Sequence, residues 1–325
     1  MKHNAATYSV IVGNTQTSAS AIVPAFDEAV SYAQAANAAA TRRTYRSDFD
    51  MFRQWCEDRV TCPLPASPES VAAFLATEAK RGIKPSTIAR RLAAIRYAHK
   101  LAGQASPTAS EAVKATLRGI RRTRRIAPNR KAPATADKVA AMAAATGDGI
   151  RGLRDRALLL LGFAGAFRRS ELVALDIRDL QFCDGGLRVT IRKSKTDQEG
   201  EGATIAIVPG SFACPVKAVR DWLKAAPIKS GAVFRPISKA GRILNRRLSD
   251  RTVAEVVKAA ARRVGLKAKD FSGHSLRSGF LTSAARRGAS VFKMMDVSRH
   301  KSIETLRSYV RDAEIFRDHA GTGLL

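Results

Sequence analysis

Arg168, Lys195, His274, Arg277, His300 and Tyr309 occur in that order along the second half of the chain. Their types are those needed to open a phosphodiester through a tyrosine. Two arginines present planar, permanently charged forks that match the non-bridging oxygens of one phosphate. Two histidines and a lysine can move protons at the bridging oxygens, and a tyrosine hydroxyl can attack phosphorus. Taken singly, each residue has a blander reading: a lone histidine is more often a satisfied core residue, and a lone tyrosine an aromatic anchor on an amphipathic helix. The ordered set reverses that preference.

The surroundings narrow the reading. They run Ala166-Phe167-Arg168-Arg169-Ser170-Glu171-Leu172, Ser194-Lys195-Thr196, Ser272-Gly273-His274-Ser275-Leu276-Arg277, Arg299-His300-Lys301-Ser302 and Ser308-Tyr309-Val310. This series resembles the tyrosine recombinases of the phage integrase family, of the compact Cre/Xer-like type. The resemblance implies site-specific DNA cleavage and rejoining through a 3′-phosphotyrosine, for integration, excision or resolution, with neither metal nor nucleotide cofactor. It implies that Arg168 and Arg277 clamp the phosphate, His274 manages the tyrosine proton, and Lys195 protonates the departing 5′ oxygen. His300 would bond the phosphate, Tyr309 would be the nucleophile, and Glu171 would support the site. Lys193 competes with Lys195, and the Ser-Lys-Thr context favours the latter. One departure stands out: the family usually has glycine immediately before the His300 position, and here it is Arg299. Either the turn differs locally or Arg299 adds a phosphate contact.

Composition points the same way independently. The 325 residues hold 56 Lys and Arg against 28 Asp and Glu, a net charge of +28. A surplus of that size calls for a polyanionic partner, most commonly nucleic acid. Neither a lipidation signal nor a basic amphipathic helix marks a membrane-surface protein, and the longest strongly apolar stretch, Ala157 to Phe167, is too short to cross a bilayer. Aromatic content of 6% argues against a base-stacking single-strand binder. Cys56, Cys62, Cys183 and Cys214 lack zinc spacing and read as reduced thiols of a cytoplasmic protein, here expected to be nucleoid-associated. No dense carboxylate cluster suggests a two-metal nuclease and no phosphate-binding loop suggests ATP.

The elements that must position these groups are mainly α with a small β element. Residues 1–24, without a sustained period, are expected to be a disordered lead. Residues 25–125 read as a helical bundle. Tyr45, Phe49, Phe52 and Cys56 share one helical stripe opening at Thr41, Ser67-Pro68-Glu69 starts a second helix, Pro85 a third built on Ile88, Leu92 and Ile95, and Val113, Leu117 and Ile120 mark a fourth. The resemblance makes this the core-binding domain. Arg42, Arg43, Arg90, Arg91, Arg96, Tyr97, Lys100, Arg121 and Arg122 are the candidate DNA contacts, set against a solvated charged face as the default for any one helix.

Residues 126–133, with two prolines and two basic residues, are expected to be an exposed basic linker. Residues 134–325 form the expected catalytic domain. There, Leu187, Val189 and Ile191 alternate with polar residues, as do Ile205 and Ile207, which predicts a hairpin with Lys195 at its turn. Ile315, Phe316, Leu324 and Leu325 after Tyr309 suggest an assembly tail. The resemblance implies a homotetramer on duplex DNA with paired inverted half-sites, with an accessory or directionality factor left open. A type IB topoisomerase-like enzyme and a catalytically silent DNA-binding regulator on the same fold are the alternatives.

Overall fold

A computed structural model describes residues 39–124, 131–192 and 202–313. The expected lead, most of the linker, Lys193, Lys195 and the expected tail lie outside the described residues. The chain divides into two units, Met1–Pro128 and Asn129–Leu325.

The first unit is a helical bundle of α1 (Ala39–Glu57), α2 (Pro68–Lys80), α3 (Pro85–Leu101) and α4 (Glu111–Arg124). The sequence accounts for the helix starts. Ser67 caps α2 by accepting the Ser70 amide at 3.1 Å, and prolines occupy the first position of α2 and α3, where no amide donor is needed. Phe52, Cys56, Val71, Phe74, Leu75, Ile88, Leu92, Ile95 and Val113 close the core. Inside it, the Phe52 and Phe74 rings meet edge-on at 5.1 Å. His99 is a satisfied core histidine: its Nε2 accepts the Ala66 amide at 2.9 Å, and its Nδ1 lies 2.8 Å from the Ile95 carbonyl.

The second unit packs α5 (Ala136–Ala144), α6 (Ile150–Ala164), α7 (Arg169–Ala174), α8 (Pro215–Ala225), α9 (Asp250–Arg263) and α10 (His274–Arg286) around one core. Trp222 lies at zero exposure in it and donates to the Val233 carbonyl at 2.9 Å. A three-stranded antiparallel sheet of β1 (Leu180–Cys183), β2 (Gly186–Ile191) and β3 (Ala203–Ile207) adds Leu187, Val189, Ile191, Ile205 and Ile207 to the same core. The expected hairpin is β2–β3. β1 was not expected, because four residues with half-exposed alternation give almost no periodic signal.

Two further helices, α11 (Val291–Ser298) and α12 (Ile303–Ala313), form with α10 a smaller core of Leu281, Ala285, Met294 and Leu306, against which Tyr309 and Val310 pack. α11 also escaped the sequence, since only Met294 and Ser298 are buried in it while Phe292 is exposed.

The end of the expected linker is not free. Ala132 donates its amide to the Asp270 carbonyl at 2.7 Å and Ala134 to that of Ser275 at 2.9 Å, which lays residues 132–134 along the start of α10. Gly279 permits the approach: a Cβ there would stand 1.7 Å from the Ala134 carbonyl oxygen.

Candidate active site

Arg168 ends a tight turn. α6 stops at Gly165, Ala166 takes a positive φ of 45°, and Arg168 caps α7. Glu171, three residues on, accepts the Arg168 backbone amide on Oε2 at 2.9 Å and the Arg168 guanidinium on Oε1 at 2.5 Å. One carboxylate thus caps the helix and aims the arginine. Burial alone would raise the Glu171 pKa, but Arg299 and Arg168 hold it below the usual carboxylate range.

His274 and Arg277 stand three residues apart at the start of α10 and so share a face. Arg277 is 1% exposed. Its Nη1 donates to the Ala166 carbonyl at 2.6 Å, and its Nη2 lies 3.3 and 3.2 Å from the two ring nitrogens of His300. Among the described residues no carboxylate pairs with it directly. Burial, then the positive charges of Arg168 and Arg299, push its pKa down to about 9, still well protonated at neutral pH.

His300 follows α11. Ser298 Oγ donates to the Met294 carbonyl at 2.6 Å and stands 2.7 Å from His300 Nδ1. A hydroxyl has one proton, already committed to Met294, so Nδ1 carries the hydrogen and Nε2 is the acceptor. Burial and the neighbouring Arg277 and Arg168 push the His300 pKa down to about 4. His274 is lowered by burial and then by Arg277. Both rings are therefore neutral at pH 7. Tyr309 on α12 lays its ring on the α10–α12 core while its Oη lies 3.2 Å from His274 Nε2. A neutral imidazole at that distance can take the phenol proton.

Arg168, Glu171, His274, Arg277, His300 and Tyr309 are thus brought together. Lys195 and its competitor Lys193 belong to the segment between β2 and β3 and lie outside the described residues. Among the described residues no group of three or more His, Cys, Asp or Glu side chains could hold a metal ion, and no helix is long and apolar enough to cross a membrane.

Arg299 takes the left-handed backbone conformation, φ 57° and ψ 41°, that glycine would adopt at no steric cost. Its side chain turns inward: Nη2 donates to Glu171 Oε2 at 2.8 Å and to the Ala166 carbonyl at 3.2 Å, and Nη1 to the Gly165 carbonyl at 3.1 Å. It is not a free phosphate contact. Sequence reasoning missed this role, and it missed Ser298 altogether. The only signal was that arginine stands where the family has glycine.

The basic candidates of the first unit divide. Arg91 is corrected: it is 6% exposed and ion-paired to Glu78, with Asp48 also near, because it shares the inward face of α3 with Ile88, Leu92 and Ile95. Arg90 is half-exposed but bidentate on Asp48, at 2.7 and 3.0 Å. Arg96 donates to Thr108 Oγ1 at 3.0 Å, and the Tyr97 ring lies 5.5 Å from that of Tyr45. Arg43, Lys100, Arg121 and Arg122 are exposed, and Arg42 is partly buried.

Comparison with known proteins closes the question of family. The model of the phage integrase family matches residues 134–314, and that of the phage integrase N-terminal SAM-like domain matches residues 26–105. The chain belongs to the phage integrase family. It is 37% identical over 286 residues to an integrase/recombinase xerD homolog of Selenomonas ruminantium, covering 86% of this chain and 84% of the relative. Solved structures share its fold. The Tn1549 transposon integrase superposes with a TM-score of 0.59 at 14% identity, covering 89% of this chain and 94% of that one. The XerH site-specific recombinase superposes with a TM-score of 0.57 at 15% identity, covering 79% and 72%. This phage integrase family member is a site-specific tyrosine recombinase, an enzyme of DNA strand breakage and rejoining.

Proposed function

We propose that Tyr309 cuts one strand of duplex DNA and holds it as a 3′-phosphotyrosine until a second strand end takes it back. The Tyr309 Oη–P bond forms as the P–O5′ bond breaks, the phenol proton passes to His274, and Lys195 protonates the departing 5′ oxygen. Arg168 and Arg277 carry the non-bridging oxygens, where charge builds up in the pentavalent transition state. His300, taking up a proton as the phosphate arrives, donates to it from Nε2 beside them. The observation that carries this reading is Arg277: a buried guanidinium with no direct carboxylate partner among the described residues, within the shell that also holds Tyr309 Oη and His274. A buried cation left without its own counter-ion is costly unless an anion arrives.

XerH was solved on a palindromic difH substrate. By analogy, this protein acts on paired inverted half-sites as a homotetramer on two sites, with the helical unit contacting DNA as the core-binding domain and the tail after Tyr309 joining protomers. Its place is the cytoplasm, on the nucleoid. A nicked suicide duplex, built on the sequence the protein selects from a randomised duplex library, tests the chemistry. The wild type is expected to be trapped covalently with EDTA present, while Tyr309→Phe binds with unchanged affinity and is not trapped. Equal trapping of the Phe variant would assign the attack to another residue.

A further inference from the structure

Three segments distant in sequence meet at one backbone oxygen. The Ala166 carbonyl, at the turn before Arg168, accepts from Arg277 Nη1 of α10 at 2.6 Å and from Arg299 Nη2 of the α11–α12 turn at 3.2 Å. Ala166 and Arg299 are both non-glycine residues at positive φ, 45° and 57°. Two backbone conformations that L side chains rarely adopt therefore face each other, joined by hydrogen bonds that run through the reacting centre. Such conformations persist where the surroundings over-determine them.

Arg299 supplies much of that determination. Besides Ala166, its fork reaches Glu171 Oε2, the Gly165 carbonyl and, at 2.5 Å, the Val297 carbonyl. Its Cζ lies 5.3 Å from the centre of the Phe167 ring, and the side chain is 9% exposed. All of these except the local Val297 contact tie the turn bearing His300 to the turn bearing Arg168. Glu171 is the joint, since its two oxygens hold Arg168 on one side and Arg299 on the other. A glycine at this position would suit the backbone and supply none of these bonds.

We propose that Arg299 is a positioning residue for strand cleavage: through Glu171 and the Ala166 carbonyl it locks the His300 turn to the Arg168 turn, so that both groups stand ready for one phosphate. This rests on the phosphotyrosine reading above. Arg299 makes the clamp of this protein a three-arginine assembly in which two guanidiniums, those of Arg168 and Arg277, are left for the phosphate and the third fixes their geometry. A lysine keeps the charge, but a single ammonium cannot span the four acceptors that the guanidinium fork reaches.

The test uses the full-length protein on the nicked suicide duplex, with trapping rate at saturating DNA, DNA affinity and thermal midpoint measured for the wild type, Arg299→Gly and Arg299→Lys. Arg299→Gly is expected to cleave roughly a hundredfold more slowly, the scale of an ångström-sized misplacement, with affinity unchanged. Free guanidinium at sub-denaturing concentration is expected to restore much of that rate where sodium chloride of equal ionic strength does not, and Arg299→Lys to fall between. Wild-type cleavage by Arg299→Gly would overturn the proposal, and so would a weakened affinity at normal saturated rate, the mark of a phosphate contact. A lowered thermal midpoint with no guanidinium rescue would reduce Arg299 to a fold residue and overturn it as well. Failure of the wild type itself to be trapped would instead sink the phosphotyrosine reading, and this proposal with it.

Discussion

His300 sits where a proton and a phosphate compete. Its pKa is pushed from the ordinary 6.5 down to about 4 by burial and by the guanidiniums of Arg277 and Arg168. In the free protein it is therefore neutral from about pH 5 upward. An incoming phosphate offsets those cations, so the pKa rises on binding and DNA uptake carries a proton with it. At pH 5 to 6, calorimetry in buffers of different ionisation enthalpy is expected to show proton uptake that His300→Ala removes; a wild type with no uptake would contradict the assignment. The same shift bears on stability with the opposite demand: the unfolded chain protonates His300 near 6.5 and the folded one only near 4, so folding stability falls as pH drops through that window. Ser298 fixes the ring tautomer through its 2.7 Å contact with Nδ1. Ser298→Ala is expected to slow cleavage about tenfold, the equivalent of one hydrogen bond of about 1.4 kcal/mol, while leaving DNA affinity alone.

At the scale of elements, close approaches decide which substitutions the framework accepts. Gly279 lies inside α10, where alanine would normally be favoured, yet its Cβ would meet the Ala134 carbonyl. Gly279→Ala is expected to lower stability by about 1–3 kcal/mol despite its better helix propensity, read as the midpoint of denaturant unfolding. The helix starts at Ser67 and Pro85 were legible because caps and first-position prolines are local chemistry. The Glu171 cap is equally local, yet its supporting role was legible only through the family resemblance. β1 and α11 were not legible, being short and half-exposed. Arg91 misled because basic residues on a helix look alike until the inward stripe is drawn, and Ile88, Leu92 and Ile95 already drew it. Arg299 misled differently: its partners Gly165, Ala166 and Glu171 are more than a hundred residues away, and no local pattern reports a contact of that reach.

For the whole molecule the governing quantity is the surplus of 28 positive charges. Binding to duplex DNA is expected to weaken steeply with salt, at a log-log slope of about −0.9 for each phosphate neutralised. Neutralising Arg43, Lys100, Arg121 and Arg122 together is expected to flatten that slope, whereas Arg91→Ala, which breaks a buried ion pair with Glu78, is expected to unfold the first unit more easily. An unchanged slope in the fourfold variant would place those four on a solvated face. The central claim is narrower than charge, and it concerns one oxygen. Trypsin cuts after Arg307 and Arg311, so digestion of the protein trapped on a suicide duplex releases the peptide Ser308–Arg311. Mass spectrometry is predicted to find the nucleotide on that peptide, at Tyr309; an adduct on any other peptide would contradict the account.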